Sequence, residues 1–295
     1  MTSSREWPAD RLRTLLAQDA LHLMPCCFDA LSARMIERAG FALSFMSGFA
    51  VSASRLAAPD TGLISFGEML DQGRSICAAV DLPIIGDADT GYGNPQNIRR
   101  TIDGYARAGF AGAMIEDQVA PKRCGHTRGK EIVDRETAYL RIRAAVDARE
   151  AGAEIVIMAR TDARAEHGLS EAIERCRAFA DLGADIIFLE APESESEMEE
   201  LCRELPDIPK MANLVEDGDT PVLPPARLEE IGFRIAAYPL TLLSSAARGM
   251  RDALDALADG SPAPARLSFG ELQELVGFPE YDASLRAYEA GEGSG

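Results

Sequence analysis

The chain has 295 residues, of which 46% are hydrophobic and 26% are charged, as in an ordinary globular protein of one large domain or two small ones. Its formal net charge of −18 argues against nucleic acid and anionic membranes as partners, because both bind basic surfaces. The six cysteines are scattered, unlike those of a small disulfide scaffold. Residues 1–10 show no secretory signal, and no apolar run of the sequence approaches the length of a membrane span. We therefore expect a cytoplasmic protein with reduced thiols.

Short apolar runs alternate with helix-like stretches along the whole chain. Several of these runs follow a Gly that marks the end of a helix. Such alternation predicts parallel strands joined by right-handed crossovers. The predicted strands cover residues 22–26, 42–46, 82–85, 112–115, 154–158, 185–189, 210–212 and 233–237.

Eight such units are the number that closes a (β/α)8 barrel, the TIM barrel of the α/β class, and we predict this catalytic domain over residues 1–258. A doubly wound open sheet is the alternative, but the dinucleotide-binding and P-loop glycine motifs are both absent from the sequence. Residues 259–295 are predicted to form a linker, a helix that begins at a capping box from Ser268 to Glu271, and a disordered tail over 291–295. Extra helices of this kind are expected to pack on a neighbouring subunit or to cap the barrel base.

Polar residues follow seven of the eight predicted strands. In a barrel the carboxyl ends of the strands share one face, and barrel enzymes carry out their chemistry there. The alternative, that polar residues commonly end strands, explains one or two such positions but not seven. These positions are Ser47 and Gly48, Asp87 and Asp89, Glu116 and Asp117, Arg160 to Asp162, Glu190, Asn213, and Tyr238.

Three acidic residues on this face indicate a site for a hard cation. Asp87 and Asp89 stand two positions apart, so in an extended strand both side chains point to the same side. Glu116 follows the next strand, and Mg²⁺ prefers few carboxylates together with waters and substrate oxygens. A simple turn over residues 89–93 is the alternative, but three acids on adjacent strands favour a metal.

The segment from Pro121 to His126 contains a cysteine in an unusual setting. Cys124 lies between two cations, Lys122 and Arg123, and a Gly-His pair. Nearby positive charge favours a thiolate, and loops at strand ends commonly carry catalytic groups. An ordinary surface turn is the alternative, and from this segment alone both interpretations stay open.

Other side chains of the same face are suited to bind carboxylates. Arg160 is predicted to bind a substrate carboxylate through two hydrogen bonds, to form a salt bridge with an acid such as Glu190, or to do both. Asn213, Ser47 and the backbone N–H of Gly48 are candidate donors to a second carboxylate. The face therefore predicts a metal-bound α-oxy acid, held by its carboxylates, as its ligand.

Seven motifs together resemble the isocitrate lyase/phosphoenolpyruvate mutase superfamily, and the resemblance runs from about Pro25 to Pro239, most of the chain. The form Lys-Arg-Cys-Gly-His resembles the lyase branch, which comprises isocitrate, 2-methylisocitrate and 2,3-dimethylmalate lyases and the petal death protein. The mutases, hydrolases and decarboxylases of the superfamily typically lack this Cys. The motifs are Ser47-Gly48, Gly86 to Gly93, Ile115 to Gln118, Pro121 to His126, Ala159 to Asp162, Glu190 to Pro192, and Tyr238 to Leu240.

The resemblance implies a barrel with a C-terminal helix that is swapped between the subunits of a homotetramer. It also implies Mg²⁺, sometimes Mn²⁺, as cofactor, a small hydroxy acid as substrate, and a mobile loop that carries the Cys. The implied reaction cleaves the C2–C3 bond of a 2-hydroxy di- or tricarboxylate by retro-aldol (retro-Claisen) chemistry. An α-keto acid such as pyruvate leaves together with the enediolate of a second carboxylate, which a thiol protonates.

The resemblance also assigns roles to individual residues. Cys124 is the expected proton donor, while Lys122 and Arg123 beside it are expected to tune the thiol and attract the anionic substrate. The implied sets are catalytic Cys124, His126, Arg160 and Glu190; substrate-binding Ser47, Gly48, Phe49, Gly125, Asn213 and Arg160; and metal-binding Asp60, Asp87, Asp89 and Glu116.

Two departures from the methylisocitrate lyases narrow the expected substrate. Those enzymes carry an Arg five residues after the Pro of the Tyr-Pro-Leu segment, where this chain has Ser244, with Arg248 one helical turn further on. They also tend to have a Thr before Glu216, where this chain has Val215. Both changes favour a smaller, more apolar substrate, a 2-alkylmalate such as 2,3-dimethylmalate.

Three alternatives remain beside that reading. The first is cleavage of 2-methylisocitrate, and the second is hydrolysis or decarboxylation of oxaloacetate, which needs no proton-donating Cys. The third is a barrel kept as a binding module, which is expected to have lost catalytic positions that this chain retains.

Overall fold

The computed structural model describes residues 6–125 and 129–290. His126 and the predicted tail over residues 291–295 lie outside this described part. The chain divides into two compact units, of which the first ends at Leu242 and the second begins at Leu243. The predicted domain boundary after residue 258 stays a prediction. Within the described residues, no helix combines the length and the apolar character that a membrane span needs.

The first unit is built on a parallel sheet of eight strands that closes on itself. Neighbouring strands pair in chain order, and β1 also pairs with β8. A parallel bridge between Ile187 and Lys210 brings β6 beside the start of β7. The predicted (β/α)8 barrel is therefore confirmed. Its strands are β1 (His22–Cys27), β2 (Ser44–Met46), β3 (Ile84–Asp87), β4 (Gly112–Glu116), β5 (Val156–Thr161), β6 (Ile186–Leu189), β7 (Met211–Asn213) and β8 (Ile235–Tyr238).

Helices precede and separate the strands along the chain, and three follow the barrel. Ser65 caps α4 and Asn94 caps α5, since each side chain accepts a hydrogen bond from the backbone of the first turn. The helices are α1 (Pro8–Leu16), α2 (Ala30–Arg38), α3 (Gly48–Leu56), α4 (Phe66–Ala79), α5 (Pro95–Ala108), α6 (Arg135–Glu150), α7 (Ala163–His167), α8 (Leu169–Asp181), α9 (Glu195–Glu204), α10 (Pro225–Ile231), α11 (Thr241–Ala258), α12 (Phe269–Val276) and α13 (Phe278–Glu289).

Most strands extend one to three residues further toward their carboxyl ends than predicted. Asp87 ends β3, Glu116 ends β4 and Asn213 ends β7, although each was expected to follow its strand. The ladder continues through them, as shown by the register of Glu116 opposite Arg160. Polar residues therefore enter these strands because their side chains find partners inside the barrel mouth, which a hydropathy pattern does not reveal.

The strands are buried on both faces, as expected of a parallel sheet. One apolar layer lies between the strands and the helices, and a second fills the barrel, with Met24, Met158 and Ile235 among its members. Leu12 of α1 belongs to the inner layer and reaches the start of β4, near Gly112. Because α1 covers the amino-terminal end of the barrel, the carboxyl end is left for a site.

The second unit is helical. A capping box at its Ser268 confirms the predicted start of α12, since Ser268 and Glu271 exchange side-chain and backbone hydrogen bonds. None of the described residues from 243 to 290 is buried. Arg248 binds Asp252 of its own helix, with Nε 2.8 Å from Oδ1.

Candidate active site

A pocket lies at the carboxyl end of the barrel, and each of the eight strands contributes at least one residue to its lining. It brings together nine of the predicted site residues. Three further predicted residues are not part of the lining, but each contacts a lining residue. Gly48 contacts Asp87. Asp89 contacts Lys122, and Glu116 contacts Arg160. The nine lining residues are Ser47, Phe49, Asp60, Asp87, Cys124, Gly125, Arg160, Glu190 and Asn213.

The chain turns directly from β2 into α3, and the first residues of this helix border the pocket. Ser47 is the N-cap, and its Oγ accepts a hydrogen bond of 3.3 Å from the N–H of Ala50. The N–H of Gly48 donates to Oδ2 of Asp87 over 3.2 Å. A Cβ at position 48 would lie 2.4 Å from this oxygen, so glycine is needed here. Gly48 therefore holds Asp87 in place, whereas Ser47 retains a hydroxyl hydrogen to donate.

Four buried carboxylates surround the ammonium group of Lys122. Its Nζ lies 2.7 Å from Oδ1 of Asp60 and 2.9 Å from Oδ1 of Asp89. Burial lowers the pKa of Lys122, but Asp89, Asp87, Glu116 and Asp60 more than offset this effect and hold the pKa well above its usual value. Lys122 is therefore charged at any physiological pH.

One ammonium does not neutralise this cluster. Burial raises the pKa of Asp89 to about 6; the charge of Lys122 opposes the effect and neighbouring carboxylates reinforce it. Burial likewise raises the pKa of Glu116 well above its usual value, against the opposing charges of Arg160 and Lys122. Burial is the largest cause of both shifts, so these two carboxyl groups are less readily charged than exposed ones, and a divalent cation bound beside them would favour their charged forms.

The donor chemistry of this cluster fits Mg²⁺. The buried Oε1 of Glu116 has no hydrogen-bond partner in the described part of the chain. Oδ1 of Asp60 and of Asp89 lack a well-directed hydrogen bond, but their short distances to Lys122 make them ion-paired. No three acidic, His or Cys side chains among the described residues converge into a ready-made cage. Mg²⁺ needs none, because it binds through one or two carboxylates plus water and substrate oxygens.

Asp87 and Asp89 are arranged differently from the expectation. Asp87 ends β3, but Asp89 has a φ of 49°, so the backbone has already left the strand. The N–H of Asp89 donates to Oδ1 of Asp87 over 3.0 Å, and the N–H of Gly91 donates to the carbonyl of Ala88 over 2.9 Å. The expectation of an extended strand is wrong at Asp89, since a turn begins there. The turn and Lys122 nevertheless bring both carboxylates into one cluster.

Arg160 of β5 contacts three carboxylates. Its Nε and Nη2 donate to Asp162 over 2.8 and 2.9 Å, and Nη2 lies 3.1 Å from Oε2 of Glu190. Nε lies 3.4 Å from Oε2 of Glu116, and the guanidinium carbon is 5.0 Å from the ring centre of Phe188. The salt bridge to Glu190 that the sequence suggested is present, and the two bonds to Asp162 orient the guanidinium within the pocket wall.

Glu190 is fixed from three sides. Besides Arg160, the amide Nδ2 of Asn213 lies 3.3 Å from both of its carboxylate oxygens, and the N–H of Ala191 donates to Oε1 over 3.0 Å. Asn213 was expected to bind a substrate carboxylate. In the structure its amide orients Glu190, a buried residue whose oxygens form part of the pocket lining.

Hydrogen bonds to the backbone of Arg123 and Cys124 hold this part of the loop between β4 and α6 at the pocket. The side chain of Gln118 exchanges two hydrogen bonds of 2.9 Å with the backbone of Arg123. The N–H of Cys124 donates to the carbonyl of Asp60 over 3.1 Å. These bonds place the half-buried Cys124 in the pocket lining.

Gly125 makes the closest approach of this loop to the barrel. A Cβ at this position would lie 2.4 Å from Nη2 of Arg160 and 2.6 Å from Oε2 of Glu190. The backbone beside Cys124 therefore rests directly on the Arg160–Glu190 pair. No side chain larger than hydrogen fits in this arrangement.

Three charged residues of the site were given no role, or a different role, by the sequence. Lys122 was expected to serve the thiol and the substrate, but its ammonium is bound to Asp60 and Asp89. Asp162 was quoted only as part of a motif, yet it orients Arg160. Lys130 gave no signal in the sequence, because one Lys in a polar segment is typical of any exposed loop.

Known proteins match this chain over most of its length. The family model described as phosphoenolpyruvate phosphomutase matches residues 12–258. The chain is 40% identical to the 2,3-dimethylmalate lyase of Eubacterium barkeri over 96% of this chain and 99% of that one. It is 45% identical to a probable 2-methylisocitrate lyase of Corynebacterium glutamicum, over 87% of this chain and 84% of that one.

A solved structure of oxaloacetate acetylhydrolase in complex with 3,3-difluorooxalacetate superposes with a TM-score of 0.91 at 36% sequence identity. The match covers 97% of this chain and 98% of that one. The similarity thus extends over the barrel and the C-terminal helices alike. The chain is an enzyme of the PEP mutase/isocitrate lyase superfamily.

Proposed function

We propose that the protein is a Mg²⁺-dependent carbon–carbon lyase that cleaves a 2-hydroxy dicarboxylate into an α-keto acid and a second carboxylate. The observation that carries the proposal is the position of Cys124. It lines the same pocket as Arg160 and Glu190, beside the carboxylates around Asp87. A proton donor next to an anion-binding and metal-binding site is what this cleavage requires.

The residues of the pocket divide the work as follows. Arg160, together with Ser47 and the start of α3, binds and orients substrate carboxylates. Asp87 and Asp89, supported by Asp60 and Glu116, would hold Mg²⁺, which would supply positive charge to stabilise the oxyanions of the reaction. A carboxylate of the pocket lining takes the proton of the C2 hydroxyl, the C2–C3 bond breaks with its electron pair passing to the enediolate, and Cys124 gives its thiol proton to the enediolate carbon. The closed loop keeps water out.

The apolar part of the pocket favours a 2-alkylmalate such as 2,3-dimethylmalate. Phe45, Met211, Val215 and Leu240 line it, and alkyl substituents gain from burial against such side chains. A tricarboxylate such as 2-methylisocitrate needs a further cation. Arg248, the candidate for that role, is bound to Asp252 in the structure. The similarity to the 2,3-dimethylmalate lyase over nearly the full length of both chains supports the same choice.

A panel assay tests this assignment. Keto-acid release is measured with 2,3-dimethylmalate, 2-ethylmalate and 2-methylisocitrate, each with Mg²⁺. We expect kcat/KM for a 2-alkylmalate to exceed that for 2-methylisocitrate by about tenfold or more, the value of one or two buried methylene groups and an unneeded carboxylate. The opposite order would overturn the substrate assignment and identify a 2-methylisocitrate lyase.

Removal of the metal is expected to abolish turnover. Asp87→Asn is expected to weaken Mg²⁺ binding by about 100-fold, near the upper end of the losses in metal affinity that substitutions around metal sites cause. The substitution removes a charge from the carboxylate that Gly48 and Asp89 orient. Calorimetric titration with Mg²⁺ measures the affinity independently of activity. Asp71→Asn, on the exposed face of α4, is the control and should bind Mg²⁺ like the unaltered protein. Equal affinities in all three proteins would refute this metal site.

We further propose that the protein is a homo-oligomer, a homotetramer with swapped C-terminal helices as the family resemblance implies. Large exposed apolar side chains mark interaction surfaces. The second unit exposes Met250, Leu254, Leu257, Phe269, Phe278, Tyr281 and Tyr288. Light scattering is expected to give four times the 31.7 kDa of the chain, and a monomeric mass would contradict the proposal.

A further inference from the structure

Lys130 belongs to residues 129–134, the segment that leads from the Cys124 loop to α6 and that we call the return limb. It has almost no contact with solvent. Its side chain is 4% exposed, although Lys is normally among the most exposed residues. Its Nζ donates to the carbonyl oxygen of Gly125 and lies 3.0 Å from Oδ1 of Asp162. A buried ammonium is stable only when paired in this way, so both contacts are needed for the arrangement.

Asp162 is the anchor of this contact. Its side chain is fully buried, and its backbone N–H donates to Oδ1 of Asp117 over 2.9 Å. The same carboxylate binds the guanidinium of Arg160 through two bonds. Burial raises the pKa of Asp162, but Arg160 and Lys130 more than offset this and lower the pKa to about 2. Asp162 is therefore a permanent anion shared between the substrate-binding Arg160 and the loop residue Lys130.

The other contact of Lys130 fixes the backbone next to the proton donor. Gly125 follows Cys124 directly and rests on Arg160 and Glu190. The backbone of Gly125 already packs against these two barrel residues, and Lys130 adds a hydrogen bond from a charged donor to the Gly125 carbonyl. Lys130 thus ties the far side of the Cys124 position to the barrel.

We propose that Lys130 is a positioning residue, which joins the carbonyl of Gly125 to the carboxylate of Asp162 and so holds the Cys124 thiol over the substrate pocket. Lys130 touches neither the substrate nor the reacting carbon. It acts through the loop, and it makes closure of the loop depend on the same anion that orients Arg160. Its effect on catalysis rests on the proposed lyase function, whereas its effect on the loop does not.

The test measures how fast iodoacetamide alkylates Cys124 in the substrate-free protein, followed by mass spectrometry of the peptide that carries this residue. Lys130→Met keeps the length of the side chain but removes its donor. We expect alkylation about tenfold faster, as the loss of a buried charged hydrogen bond implies. Lys130→Arg retains a donor and should stay within about threefold of the unaltered protein. Glu131→Gln, exposed on the same limb, is the matched control and should not change the rate.

The kinetic part is measured separately with the 2-alkylmalate assay. We expect kcat of Lys130→Met to fall about tenfold or more while KM changes less, with partial recovery in Lys130→Arg.

Unchanged alkylation in a folded Lys130→Met protein would overturn the proposal, whatever happens to turnover. If Lys130→Met does not fold, Lys130→Gln takes the same test, and failure of both to fold would also overturn it, because Lys130 would then serve the fold and not the loop. If no substrate is cleaved, the proposed lyase function fails, while the alkylation rates still decide the role of Lys130.

Discussion

Replacing Cys124 by Ser is expected to lower keto-acid release from a 2-alkylmalate by about 10²–10⁴-fold, the contribution of a positioned acid to catalysis. A hydroxyl is a much weaker acid than a thiol, so Ser cannot protonate the enediolate at a comparable rate. The side chain is half-buried on a loop, and Ser is nearly the same size, so the melting temperature should not change. Steady-state kinetics and thermal melting measure the two effects.

Cys77→Ser is the matched control, since Cys77 is a partly buried thiol of α4 outside the pocket. It should retain the activity of the unaltered protein. Hydrolysis of oxaloacetate needs no thiol proton donor, so any such activity should survive in Cys124→Ser. A Cys124→Ser protein that keeps more than about a tenth of its lyase activity would remove Cys124 from the proposed role.

The second large effect is expected at Gly125. In Gly125→Ala, the new Cβ would lie 2.4 Å from Nη2 of Arg160 and 2.6 Å from Oε2 of Glu190, far closer than atoms approach without bonding. The loop must then move away from the pocket and carry the Cys124 thiol with it. Displacement of a catalytic group by about 1 Å costs on the order of 10²-fold in rate, so kcat should fall by at least that much.

Gly67→Ala provides the comparison for this substitution. Gly67 lies in the first turn of α4, where the nearest atom to an added Cβ is 3.9 Å away. Ala is favoured over Gly in a helix, so this variant should be fully active and slightly more stable. A Gly125→Ala protein with the kcat of the unaltered enzyme would show that the closed position of the loop is not the active one.

The fold could be predicted from the sequence because its signals are local. A strand such as β4 is a short apolar run between a helix-ending Gly and an acid, and the box at Ser65 marks a helix start with its own side chain. Eight repeats of this local pattern leave few topologies to consider. The strand ends were less predictable, since Asp87 and Glu116 belong to the ladder only because their side chains are paired or buried across the barrel mouth.

The site could be predicted as a set of residues but not as a set of contacts. The polar strand ends and the Cys segment named most of the pocket lining. The partners of the cations were not accessible, because the distance in sequence between Lys122 and Asp60, or between Lys130 and Asp162, has no periodicity to reveal it. Both pairs arise from the way the Cys loop folds back over the barrel, which is a property of the tertiary structure.

We expect the loop and its thiol to make this barrel a lyase and not an oxaloacetate hydrolase. The decisive measurement compares kcat/KM of the unaltered enzyme with Mg²⁺ for two reactions, keto-acid release from 2,3-dimethylmalate or 2-ethylmalate and hydrolysis of oxaloacetate. We predict that the better 2-alkylmalate is the preferred substrate by about tenfold or more. A clear preference for oxaloacetate, with no keto acid released from either 2-alkylmalate, would contradict the assignment.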